Sequence, residues 1–111
     1  MTNDYLVKVT EQAREQLREI TQYIEKELKN PDAALHTLDV LEGSISSLSQ
    51  FPQRVSLTEE EPWRSLGIHK LPVKNFLVYF WVNEIELKVQ VTAIVYNKRD
   101  QKMQLSQMSW E

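Results

Sequence analysis

The sequence has no cysteine, and only two histidines and two glycines occur among its 111 residues. Without cysteine the chain cannot form a disulfide, a Cys-ligated zinc site or a thiol nucleophile. With so few histidines, and with no His-Glu-x-x-His or acidic calcium-loop pattern, we expect neither a metal site nor a cofactor. The scarcity of glycine predicts that most of the chain forms regular secondary structure.

Long apolar runs are absent as well. No segment approaches the roughly 20 apolar residues that a membrane-spanning helix needs, and the N-terminus lacks the basic-then-apolar pattern of a signal peptide. We therefore expect a cytoplasmic protein with no membrane partner. The length predicts one domain over residues 1–111, with a core at about residues 5–100 and a C-terminal tail at 101–111.

Charge is distributed unevenly along the chain. Residues 1–61 contain six Lys and Arg against twelve Asp and Glu, a net charge of −6, whereas residues 62–111 contain seven against four, a net charge of +3. The acidic pI near 5.4 argues against broad electrostatic binding of nucleic acid. Any contact with phosphates therefore belongs to the second half of the chain.

The first half predicts a strand followed by two helices. Residues 5–9 (YLVKV) are typical of a short strand, and Thr10 is a good N-cap for a helix that runs to about residue 29. The apolar residues of this helix recur at helical spacing and form one stripe. Its members are Ala13, Leu17, Ile20, Ile24 and Leu28.

A second helix is predicted from Pro31 to about Gln50, because Asn30-Pro31-Asp32 ends one helix and starts the next. The short connection makes the two helices an antiparallel αα-hairpin. The stripe of the second helix consists of Ala34, Leu38, Leu41, Ile45 and Leu48, and Leu35 is expected to widen it.

The second half predicts a sheet of three further strands, at about residues 66–73, 76–82 and 87–96. Pro72 cannot donate a ladder hydrogen bond, so the first of these strands is expected at an edge or a bulge. Residues 76–82 are almost all apolar, which suits a strand covered on both faces. In the last strand period-2 alternation is expected to place Leu87, Val89, Val91, Ala93 and Val95 on one face.

These elements predict an α+β fold: an N-terminal strand, an αα-hairpin and an antiparallel sheet of three strands, with the helices packed on one face. The other face is expected to be open and to carry any function at its charged rim. Before the sheet, the three glutamates at 59–61 are interpreted as a solvated loop. Trp63 is interpreted as a residue that closes the end of a core, with an exposed partner anchor as the alternative.

Several stretches, taken in order, resemble the RelE/ParE family of toxins from bacterial type II toxin–antitoxin systems. The resemblance covers roughly residues 5–100. Its weaker parts are the first strand and helix, PDAA at 31–34 and FPQR at 51–54. Its stronger parts are GIHKLPVKNF at 67–76 and IVYNKRD at 94–100. The resemblance implies a bent antiparallel sheet with the helical hairpin on one face, and a cognate antitoxin that wraps the toxin as a hetero-oligomer.

Two activities divide the family that the chain resembles. RelE-like members cut mRNA on the ribosome with Lys, Arg and Tyr side chains, whereas ParE-like members bind and poison DNA gyrase. Carried over to this sequence, the cations are Lys70 and Arg99, while the expected arginine and tyrosine fall at Leu77 and near Leu105. A metal-free nuclease needs a base, a phosphate clamp and an acid, so half of the set is missing.

The remaining candidates are weighed against packing roles. His69 could replace the missing acid or base because imidazole titrates near neutrality, but a strand histidine held by hydrogen bonds is the preferred interpretation. Tyr79 and Tyr96 are interpreted as packing residues and His36 as a surface residue. If the chain acts by binding, the target contacts are expected from a basic and aromatic set. Its members are Lys98, Arg99, Lys74, Arg64 and Trp63.

The incomplete catalytic set favours a ParE-like toxin that inhibits gyrase by binding. The first alternative is a RelE-like, ribosome-dependent mRNA endonuclease in which Arg99, Lys70 and His69 would be catalytic. The second is a degenerate toxin that only binds its antitoxin.

Overall fold

The computed structural model describes residues 4–27 and 31–96. In this part of the chain the regular elements follow one another as β1 (Leu6–Val9), α1 (Glu11–Glu27), α2 (Pro31–Ser46), β2 (His69–Val73), β3 (Phe76–Asn83) and β4 (Lys88–Tyr96). The strands form one sheet in the order β1-β4-β3-β2, with β1 parallel to β4 and the other neighbours antiparallel. The α+β class and the order of elements are confirmed, and the parallel pairing of β1 makes the sheet mixed.

Thr10 joins the first strand to the first helix. Its N–H donates to the Val91 carbonyl at 3.0 Å, which continues the pairing of β1 with β4. Its hydroxyl accepts the Ala13 N–H at 3.2 Å, so it caps α1 as predicted. One residue therefore ends the strand and begins the helix, which fixes the direction in which α1 leaves the sheet.

Both helices pack on one face of the sheet and bury a core of apolar side chains, here called the helix-side core. Most of the predicted stripes lie in it: Ala13, Ile24, Ala34, Leu41, Ile45 and Leu48 are buried, and Leu17 and Ile20 pack at its margin. Leu35 was expected to widen the stripe, and this is wrong because its side chain is 60% exposed. The helix ends at Ser46 and a 3₁₀ turn, Ser47–Ser49, follows it. Leu28 lies outside the described residues.

A β-bulge in β4 overturns the predicted alternation of that strand. Val91 pairs with Phe80 and Ala93 pairs with Tyr79. Thr92 is therefore an extra residue in the register between two consecutive positions of β3. Val89 and Val91 therefore face the helices, while Ala93 and Val95 face the other side. The prediction that all four share a face is wrong because a period-2 pattern assumes an unbroken strand.

The face of the sheet away from the helices is not open as expected. It carries a second cluster of buried residues, here called the outer core, made of Ile68, Leu77, Tyr79, Ala93 and Val95. Trp63 and Trp81 pack against it. Since Ile68 and Trp63 belong to the chain between the last 3₁₀ turn, Pro52–Arg54, and β2, this segment supplies part of the cover. The apolar composition of residues 76–82, which predicts cover on both faces, agrees with this arrangement.

The two edges of the sheet differ. At β2, which is an edge strand as Pro72 predicts, the Lys70 N–H donates to Ser56 and the Thr58 N–H donates to Ile68, so a neighbouring segment covers part of the edge. At β1 the N–H groups of Leu6 and Thr10 point to β4, so strand geometry directs those of Val7 and Val9 outward. No partner for either amide occurs among residues 4–27 and 31–96. In the same part of the chain no helix is long and apolar enough to cross a bilayer.

Candidate functional site

His69 and Lys70 are adjacent in sequence and point to opposite faces of the sheet. The His69 ring stacks on Phe80 of the helix-side core, with ring centroids 5.0 Å apart and planes 9° from parallel. Its Nδ1 lies 2.6 Å from the Val55 carbonyl oxygen, so Nδ1 carries the proton in this hydrogen bond. These contacts support the packing interpretation of His69, and the geometry separates it from Lys70.

Lys70 pairs with Tyr79 across β2 and β3 and forms an ion pair on the outer side of the sheet. Its Nζ lies 3.5 Å from a carboxylate oxygen of Glu60, and both side chains are partly buried. The Thr58 hydroxyl donates to the same carboxylate. That hydrogen bond first, and the Lys70 charge as well, hold the pKa of Glu60 below its ordinary value. The interpretation of residues 59–61 as wholly solvated is therefore wrong for Glu60.

Trp63 and Arg64 lie in the turn that leads from Glu60 to β2. The Trp63 side chain packs against the outer core, and its carbonyl accepts the Ile68 N–H at 3.0 Å, which supports its interpretation as a residue that closes a core. Arg64 is exposed, and its guanidinium donates to the Thr58 carbonyl at 3.3 Å. Lys70, Glu60 and Arg64 therefore form one small polar group at the rim of the outer core.

The outer core contains two buried donors that lack acceptors. The Tyr79 hydroxyl and the Trp81 indole N–H have no hydrogen-bond partner within the described ranges. Burial, and next the negative charge of Glu60, raise the pKa of Tyr79. Leu77, at the position of the family's arginine, is buried in the same cluster. Tyr79 and Leu77 are both buried, so neither is placed to hold a phosphate at the surface.

Lys74 belongs to a different place. It occupies the β2–β3 turn with φ of 55°, so the positive φ falls on Lys74 and not on the neighbouring Asn75. Its Nζ lies 3.0 Å from Nε2 of His36, an exposed residue of α2. Lys74 lies four positions beyond Lys70 along extended strand, a span of about 13 Å. Lys98 and Arg99, the remaining predicted site residues, lie outside the described residues.

The structure thus groups only part of the predicted site. Lys70 pairs with the Glu60 carboxylate, the Arg64 N–H donates to the Glu60 carbonyl and Trp63 packs on the adjoining outer core, whereas His69 and Lys74 lie elsewhere. The partners that sequence reasoning missed are Thr58 and Glu60, and the only signal for them was the acidic run that contains Glu60. Among the described residues no group of three His, Asp or Glu side chains is placed to hold a metal ion.

Solved structures from toxin–antitoxin systems have a fold similar to that of this chain. The chromosomal ParDE system of P. aeruginosa matches with a TM-score of 0.69 and 20% identity, covering 86% of this chain and 98% of the other. A RelBE complex of Mycobacterium tuberculosis gives 0.59 and 18%, covering 84% and 91%. A double-arginine mutant of the E. coli toxin RelE in the free state gives 0.59 and 12%, covering 93% and 96%. At these identities the matches establish the fold.

A comparison with the curated proteins found no match. The family model described as the ParE toxin of the type II toxin–antitoxin system parDE matches residues 7–101, which is most of the chain. Together with the mixed sheet and its helical cover, this match assigns the chain. The protein is a member of the ParE toxin family of type II toxin–antitoxin systems.

Proposed function

We propose that this toxin acts by binding and inhibiting DNA gyrase and not by cutting RNA. The observation that carries the proposal is the ion pair of Lys70. Among the described residues, Lys70 is the cation that matches the catalytic residues of RelE-like nucleases. It is held 3.5 Å from the Glu60 carboxylate. A phosphate that approached Lys70 would meet this carboxylate as well, which opposes binding of a polyanion.

The other groups that RNA cleavage would need do not converge on Lys70. His69 lies on the opposite face and its Nδ1–H is engaged by Val55. The raised pKa of Tyr79 keeps its hydroxyl protonated, and the group is sealed in the outer core. Transition-state charge must be met by donors aimed at one point. At the rim of the outer core the described residues offer Lys70, whose charge is balanced by Glu60, and Arg64, whose guanidinium donates to the Thr58 carbonyl, which supports a toxin that binds.

An endonuclease remains the second candidate, because four polar side chains share one side of the sheet. Lys70 and Tyr79 are cross-strand neighbours, and Glu60 and Arg64 stand beside them. If the segment over the outer core opened, a carboxylate base, a cation and a phenol would be exposed together. This arrangement favours the RelE-like alternative over a toxin that only binds its antitoxin.

The proposal includes an antitoxin as the stable partner of the toxin in a hetero-oligomer. The outward N–H and C=O groups of Val7 and Val9, which have no partner among the described residues, form an edge to which an extended segment can add a strand. A segment that folds on binding suits this edge. Hydrogen exchange tests it: the amides of Val7 and Val9 are expected to become protected when the antitoxin encoded beside the toxin gene is added, and unchanged exchange would contradict the assignment.

Two activities of the purified parent protein decide between the candidates. DNA gyrase supercoiling is expected to be inhibited, and mRNA on programmed ribosomes is expected to remain intact. Arg99→Ala is expected to weaken gyrase inhibition if Arg99 contacts the target. Efficient cleavage at A-site codons, with supercoiling unaffected, would replace the proposal with the endonuclease.

A further inference from the structure

Three exposed apolar side chains lie where three segments meet at one end of the sheet. Leu6 is 55% exposed, Phe51 72% and Ile85 96%, and these residues are here called the end patch. Hydrogen bonds join their segments: Gln53 Nε2 donates to the Tyr5 hydroxyl at 2.6 Å and to a Glu84 carboxylate oxygen at 3.1 Å. The Leu6 N–H donates to the Leu87 carbonyl at 2.9 Å.

Phe51 is held in a conformation that an aromatic residue rarely adopts. Its φ of 49° and ψ of 56° lie in the left-handed region, which costs free energy for any residue with a Cβ. The Arg54 guanidinium maintains the turn by donating to the carbonyls of Gln50, Phe51 and Ser47 and to the Ser47 hydroxyl, at 2.6, 3.0, 3.5 and 3.0 Å. These hydrogen bonds constrain the backbone of the turn, from which the phenyl ring projects into solvent.

Ile85 is fixed in a similar way in the β3–β4 turn. The Asn83 side-chain oxygen accepts the N–H groups of Ile85 and Glu86 at 3.1 and 3.0 Å. Leu87 completes the turn with φ of 54°. Two neighbouring turns thus each hold an apolar side chain away from the molecule, and Gln53 ties one turn to the other.

We infer that the end patch is the surface through which this toxin binds its protein target, a folded protein with an apolar cleft. This inference rests on the proposed function, in which the toxin acts by binding. Rigid aromatic and aliphatic anchors lose little conformational freedom on association, which is why such residues dominate protein interfaces. A convex, fixed anchor fits a preformed concave site in a folded partner.

The charges around the end patch identify the partner as protein and not nucleic acid. Two carboxylates, Glu84 and Glu86, flank Ile85, and Lys88 is paired with Glu86 at 3.2 Å. Among the described residues the positive charges of Arg54 and Lys88 are matched by these two carboxylates, so no excess of positive charge is present there to neutralise phosphates. The antitoxin is assigned to the outer edge of β1, where backbone amides and not projecting side chains are on offer. The end patch is therefore left to the target.

Two substitutions in the full-length toxin test the inference, with two matched controls. Phe51→Ala and Ile85→Ala each remove one anchor, and Leu35→Ala and Leu66→Ala remove side chains that are 60% and 58% exposed elsewhere. Each end-patch variant is expected to bind purified DNA gyrase at least about tenfold more weakly, as loss of an interface anchor does. The controls are expected to stay within about twofold, since isolated exposed apolar residues are common on protein surfaces. Thermal unfolding and antitoxin binding are expected to remain as in the parent.

Growth inhibition in cells separates failure of this inference from failure of the gyrase assignment. If the parent is toxic without binding gyrase, the gyrase assignment fails, and loss of toxicity in both end-patch variants still supports the inference for another protein target. Parent-like gyrase binding and toxicity in both variants would overturn the inference alone. Retained toxicity with lost antitoxin binding in both variants would also overturn it, and so would a non-toxic parent.

Discussion

The helix-side core and the outer core differ in what they bury. The helix-side core is made of apolar side chains, whereas the outer core encloses the Tyr79 hydroxyl and the Trp81 N–H, which have no hydrogen-bond partner among the described residues, beside an ion pair at its rim. Burying an unpaired donor costs roughly 1–3 kcal/mol. The helix-side core also buries fourteen apolar residues against five in the outer core, so we expect it to contribute more to folding stability.

The bulge at Thr92 connects these two regions. Val89 and Val91 before it face the helix-side core, whereas Ala93 and Val95 after it face the outer core. The Ile94 N–H beyond the bulge donates to the Gln16 side-chain oxygen of α1 at 2.8 Å, and the Thr92 hydroxyl donates to the Tyr79 carbonyl at 3.3 Å. A helix side chain thus satisfies an amide that lies directly beyond the disturbed part of the ladder. The following predictions test the contrast between the cores, beginning with the largest effect.

Leu41→Ala in the helix-side core is expected to lower the free energy of unfolding by about 2–5 kcal/mol, as large-to-small changes in packed cores do. Leu35→Ala on the same helix is the control, because its side chain is largely exposed, and it is expected to change stability by less than about 0.5 kcal/mol. Urea unfolding measures both. Equal effects of the two changes would contradict the assignment of this core as the main source of stability.

Gln16→Ala is expected to cost about 1–3 kcal/mol, because it leaves the buried Ile94 N–H without its acceptor. Gln22→Ala, an exposed position on the same helix, serves as the control and is expected to have little effect. Hydrogen exchange gives a second measurement: the Ile94 amide is expected to exchange faster in the Gln16 variant. An unchanged exchange rate would mean that another group takes the place of Gln16.

Tyr79→Phe in the outer core is expected to leave stability unchanged or to raise it by up to about 1 kcal/mol, since it removes a buried hydroxyl that has no partner among the described residues. The pKa of Tyr79 is raised in the folded state, so its contribution to stability is present below the ordinary value of 10.0 and is lost as pH rises further. The variant is therefore expected to unfold less readily than the parent at alkaline pH. A clear loss of stability at pH 7 would show that the hydroxyl is satisfied.

Glu60→Gln is expected to have the smallest effect, a loss of about 0–1 kcal/mol at pH 7, because the ion pair with Lys70 is only partly buried. The pKa of Glu60 is lowered from its ordinary value of 4.5. Its contribution is therefore present above pH 4.5 and is lost as pH falls through the folded-state pKa. Glu59→Gln is the matched neighbour control. If urea midpoints at pH 7 and pH 3 respond alike in both variants, the ion pair contributes nothing measurable.

Sequence patterns predicted the fold where the pattern is long and the rule is local. The helical stripes found Ala13, Leu41 and Ile45, Thr10 was predicted as the cap of α1, and Pro72 indicated an edge strand. Each of these inferences depends on residues within a few positions of one another. The prediction for Leu35 failed because a position beside the stripe is buried only if a neighbouring element reaches over it.

The candidate site was less predictable, because its members come from distant parts of the chain. Lys70 meets Glu60, and His69 meets Val55 and Phe80, through the way in which the segment before β2 folds back along the sheet. The end patch likewise joins residues 6, 51 and 85, whose exposure and rigidity depend on Arg54, Gln53 and Asn83. No spacing rule relates such residues.

By itself the sequence determined the order of strands and helices, the α+β class and the family, because these follow from periodicity, capping and short motifs. Tertiary structure alone decided that the second face of the sheet is buried, that Thr92 forms a bulge and that Lys70 has an acidic partner. One physical reason is that an extra residue in a strand turns every later side chain to the opposite face of the sheet. The other is that the contacts of a loop depend on residues from distant parts of the chain.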